Sequence, residues 1–107
     1  MSQPHVIRLR EPWESAPSAD DDAVVWRRRF GRPTGLEGGE RVWLCIRCAS
    51  ELLAVHLNDI EQLGESCGEL WRVDVTAQLA VRNVLEVSAT RSSSGRAFES
   101  WLEITAS

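Results

Sequence analysis

At 107 residues, with 16 acidic and 12 basic side chains and a formal net charge of −4, the chain suits one domain with one modest core. Every basic residue is arginine, and lysine and tyrosine are absent, which excludes Schiff-base chemistry, a P-loop lysine and a tyrosine acid or base. The acidic balance argues against a surface that tracks nucleic-acid phosphates, and no apolar run reaches the roughly 18 residues of a membrane span.

In chain order, alternation of period two dominates. Residues 6–10 read as a first strand, and residues 11–22, with two prolines and three consecutive aspartates, as a loop. Residues 24–30 form a second strand, stopped by Gly31, Arg32 and Pro33, and a glycine-rich turn region runs on to Glu40. Residues 41–48 are the clearest strand, with Val42, Leu44, Ile46 and Cys48 on one face and Trp43, Cys45 and Arg47 on the other. Residues 53–57 and 60–63 flank Asn58-Asp59, a dipeptide suited to the left-handed positions of a tight hairpin. Residues 71–75, 84–89 and 98–105 complete the alternating runs, and residues 76–80 are the only plausible helical turn. Seven or eight short strands in one domain over 1–107, with 1–5 and 12–22 irregular, predict an all-β, antiparallel two-sheet sandwich or jelly roll.

Four segments in order resemble one module. These are Trp26-Arg27-Arg28-Arg29-Phe30, the hairpin Val55-His56-Leu57-Asn58-Asp59, the stretch from Trp71 through Asp74 to Thr76, and Leu79 followed by Asn83, Leu85 and Val87. Together they resemble the N-terminal sugar-binding β-sandwich of family-two glycoside hydrolases, the β-galactosidase and β-glucuronidase group, over most of the chain. The resemblance implies a galactose-binding-like jelly roll that binds an oligosaccharide. The hydrolase barrel with its two catalytic carboxylates has no counterpart here, so the implied protein is a binding module and not an enzyme. The segment Arg91 to Arg96 is shorter than the corresponding hydrolase loop, which supports a second reading: a protein-interaction or scaffold domain of the same fold without a sugar ligand.

By the same resemblance, the sugar-side loops are 16–23 and 90–97. There Asp20, Asp21, Asp22, Arg91 and Arg96 offer charge-assisted hydrogen bonds to hydroxyls. The three aspartates lack the spaced ligands and glycine of a calcium loop. Cys45 and Cys48 have a metal-like spacing but point to opposite faces of a strand, so neither a metal nor another cofactor is expected. Asp74 is expected either to cap the turn that follows it or to pair with an arginine such as Arg28. Trp26 and Trp71 fall in the inward phase. Trp43 and Trp101 fall in the outward phase, where an indole stacks on a sugar, packs on a partner, or lies under the N-terminal segment that includes Trp13. Three cysteines, with polar and charged residues at the start of the chain, predict reduced thiols and a cytoplasmic location, with no nucleic-acid or membrane partner.

Overall fold

Alternating apolar residues need two facing sheets to bury them, and a computed structural model, which describes residues 5–19, 22–93 and 95–106, has that form. The strands are β1 His5–Arg8, β2 Glu14–Pro17, β3 Ala23–Gly31, β4 Arg41–Cys48 and β5 Leu52–Leu57. They continue with β6 Ile60–Glu61, β7 Glu65–Cys67, β8 Leu70–Asp74, β9 Arg82–Thr90 and β10 Phe98–Thr105, with a 3₁₀ turn, Thr76–Gln78, between β8 and β9. The first sheet has the order β1-β10-β4-β8-β7 and the second β2-β3-β9-β5-β6. All pairings are antiparallel. The protein is an all-β sandwich. Among the described residues, no helix is long and apolar enough to cross a membrane.

The core lies between the sheets. Val42, Leu44 and Ile46 of β4 and Leu102 of β10 come from the first sheet, and Val55, Leu57, Leu85 and Val87 from the second; all are essentially solvent-free. Full burial of each such side chain stabilises the fold by about 1.5–3 kcal/mol. Trp71 belongs to this core, while Trp26 is partly buried against it. Asn58 and Asp59 take φ values of 52° and 66°, the left-handed pair that the two-residue turn between β5 and β6 requires.

The structure adds four features that the sequence reading did not fix. Residues 12–22, expected to be irregular, contain β2, whose Ser15 and Ala16 pair with Trp26 and Val25. Both faces of β2 are exposed, so it carries no alternation to read. A second unforeseen strand, β7, has three exposed residues and is silent for the same reason. Third, a register shift in β5 places Leu52 opposite the buried Ala89, whereas simple alternation back from Leu57 puts Leu53 inside. This bulge turns Leu53 outward to 44% exposure. Fourth, Asp74 does not meet Arg28. Its carboxylate accepts from the Thr76 N–H and hydroxyl and pairs with Arg41, so the capping alternative is the one realised. Arg28 instead donates to the main-chain carbonyls of Arg10 and Arg29.

Candidate functional site

Beside the edge strand β2 the sandwich opens into a cleft of about 340 Å³. Trp26 reaches it from the inward phase of β3, because its neighbour across the strand pair is only Ser15. The indole is wedged edge-on against Phe98 (6.3 Å between centroids, 74°), and Phe98 against Trp13 (5.0 Å, 88°). This aromatic chain fixes the Trp26 ring from behind. Ser15, Ser50, Thr90, Arg91 and Ser92 are the polar residues of the same lining.

Backbone bonds hold those walls. The Arg91 N–H donates to the Asp22 carbonyl (2.7 Å) and joins the two loops, while the Thr90 N–H donates to the Glu51 carbonyl (2.9 Å). The Thr90 hydroxyl accepts from the Glu51 N–H (2.9 Å), and the Ser50 hydroxyl donates to the Thr90 carbonyl (3.3 Å). Such a surface pairs one apolar ring with several donors and acceptors on rigid strand ends.

Among the residues singled out by sequence, Arg91 lines this cleft, and Asp22 is joined to it through its carbonyl. Asp20 and Asp21 lie outside the described residues. Arg96 does other work: it grips the Glu11 carboxylate (3.2 and 3.0 Å), donates to the Phe98 carbonyl (2.6 Å) and lies over the Trp13 and Phe98 rings. The Trp13 N–H and then Arg96 hold the Glu11 carboxyl below its ordinary pKa. Arg96 therefore staples the N-terminal segment to β10. Trp26, Ser15 and Ser50 were not singled out for binding. The sequence signal that places Trp26 in the inward phase is sound, but nothing in residues 12–22 reveals that its neighbouring strand is too thin to cover it.

Trp43 and Trp101 occupy the outer face of the first sheet, as their phase predicts, and line no part of the cleft. That face is already covered from within the chain. Arg8 of β1 and Arg47 of β4 flank the Trp101 ring at 6.0 and 5.7 Å, and Arg72 lies 4.2 Å from the Trp43 ring. The Trp101 indole donates to Glu103 (3.1 Å), which lies 3.7 Å from Arg72, and the Trp43 indole donates to Thr105 (3.2 Å). Trp101 is left only 8% exposed.

Cys45 sits beneath this layer. Burial, reinforced by Glu103 against the opposing effect of Arg72, pushes its thiol up to about 11, so it is protonated and unreactive near neutral pH. Cys48 points to the opposite, core-facing side, and Cys67 is exposed; all three thiols are free. Among the described residues, no three histidine, cysteine, aspartate or glutamate side chains gather as a metal site. No model of a known protein family matches the chain, and no curated protein matches it either.

Proposed function

We propose that the protein is a non-catalytic carbohydrate-binding module that holds a mono- or disaccharide in the cleft beside β2. The observation that carries this reading is the fixed Trp26 indole in a cleft whose polar lining consists of Ser15, Ser50, Thr90, Ser92 and Arg91. The C–H face of a sugar ring stacks on an indole, and its hydroxyls exchange hydrogen bonds with hydroxyl and guanidinium groups. The order of the four sequence segments supports the same reading. Three free thiols fit a reducing, cytoplasmic setting.

A glycan array probed with the intact chain selects the sugar, and ¹⁵N chemical-shift titration with that sugar locates it. The expected result is movement of the Trp26 indole and the Ser15, Ser50 and Arg91 amides, with at least about tenfold weaker binding in Trp26→Ala, equivalent to about 1.4 kcal/mol. An array without any binder, or shifts that leave these residues still, rejects the reading.

A further inference from the structure

The exposed aliphatic side chains are unevenly placed. Among the described residues five large hydrophobic side chains stand exposed, and of these Leu53 (44%), Ile60 (54%) and Leu63 (84%) belong to β5, β6 and the segment leading out of β6. Leu53 and Leu63 line a groove of about 280 Å³ whose floor includes the Trp71 indole and whose rim includes Glu61. Apolar exposure concentrated in this way marks a contact surface more often than scattered leucines do.

The backbone is open at the same place. β6 pairs with β5 only at His56 and Leu57, with one further bond from the Gln62 N–H to the Val55 carbonyl (2.8 Å). Among the described residues, no strand flanks the Leu52–Ala54 part of β5 on that side. An edge of this kind usually carries a proline or an outward charge that discourages pairing. The β2 edge ends in Pro17, and the β1 edge carries Arg8. At β5, by contrast, the bulge turns Leu53 outward.

Charge identifies the occupant. Glu61 on the rim is exposed and forms no ion pair among the described residues. A second copy of the chain would set this acidic rim against itself, and a sugar would gain little from the leucines. We propose that this edge receives an extended segment of a partner protein with alternating apolar and basic residues, added as a strand beside Leu52–Ala54. Main-chain bonds then supply affinity, Leu53, Leu63 and Trp71 receive the apolar side chains, and Glu61 selects the basic ones. This site is separate from the sugar cleft and does not depend on that reading.

The test uses the full ¹⁵N-labelled chain and two capped octapeptides, one alternating valine with arginine and one alternating valine with glutamate. The arginine peptide is expected to shift the amides of Leu53, Ala54 and Gly64, with the glutamate peptide at least about tenfold weaker. Glu61→Gln should weaken binding about threefold, the range of a rim charge pair. Leu63→Ser removes a side chain that is 84% exposed, so the variant folds, and it should also weaken binding severalfold. Equal binding of both peptides, shifts at the β1 or β2 edge instead, no shifts at millimolar peptide, or a concentration-dependent dimer through this edge would each overturn the proposal.

Discussion

The Asp74 carboxylate accepts from the Thr76 N–H (2.9 Å) and hydroxyl (2.6 Å), with Arg41 at 3.4 Å, and so closes the chain reversal after β8. Burial acts to raise its pKa, but the Thr76 hydroxyl and N–H, and then Arg41, outweigh it, and the net shift is below the ordinary 3.8. A carboxyl held low in the folded state stabilises most when ionised. Its contribution is therefore full above the unfolded pKa and disappears as pH falls through the lowered folded value. Asp74→Asn should cost about 1 kcal/mol at pH 7 in urea unfolding, a charge-assisted bond being exchanged for a neutral one. The gap from the natural chain should close as pH falls through the lowered folded pKa of Asp74, where its carboxyl becomes neutral like the amide; a gap independent of pH would refute the assignment. Gly64 acts by what it lacks. A β-carbon there would stand 2.3 Å from Trp71 Cε2 and 2.7 Å from the Arg72 carbonyl, so Gly64→Ala should lose about 2 kcal/mol and alter tryptophan emission.

Among the elements, the β5–β6 hairpin is secured by two asparagines that the sequence pattern marked separately. Asn58 Nδ2 donates to Asn83 Oδ1 (3.0 Å), and Asn58 Oδ1 accepts from the Val84 N–H (2.9 Å). Asn83, only 1% exposed, also accepts from the Ala80 N–H (2.8 Å) and donates to the Ala80 carbonyl (3.0 Å). One amide thus ties the turn to the entrance of β9. Asn83→Ala strands several of these groups away from water, and a loss of about 3 kcal/mol is expected. A double-mutant cycle with Asn58→Ala should show coupling above about 0.5 kcal/mol; additive losses would mean that the contact carries no energy. The turn residues were legible because a two-residue hairpin demands left-handed backbone and Asn-Asp supplies it. The bond between Asn58 and Asn83 was not, since 25 residues separate them and only sheet register brings them together.

For the whole molecule, the N-terminal segment is structural. β1 pairs with β10, Arg8 covers Trp101, and Leu9 is buried and accepts a bond from the Trp13 indole (3.0 Å). Deleting residues 1–10 should therefore shift tryptophan emission to the red and destabilise the chain by at least about 3 kcal/mol, as the loss of one core leucine alone suggests. Unchanged emission and stability would show that the arm is a passive appendage. The outward tryptophans were legible from strand phase. Their cover was not, because Arg8, Arg47 and Arg72 look like ordinary solvated arginines until the strand order β1-β10-β4-β8 sets them beside the rings.

The sequence alone determined the all-β sandwich, the face of each long strand, the tight turn at Asn58-Asp59 and the divergence of Cys45 from Cys48. Each follows from the period-two geometry of a strand or from the backbone demands of a turn, which act over a few neighbouring residues. Tertiary structure alone decided that residues 14–17 form an edge strand, that Leu53 turns outward, that Arg96 staples the N-terminal segment and that Trp26 opens onto a cleft. These outcomes depend on strand order and register between distant segments. An exposed edge strand, a one-residue bulge and an arginine over a ring leave no periodic trace in the chain that forms them.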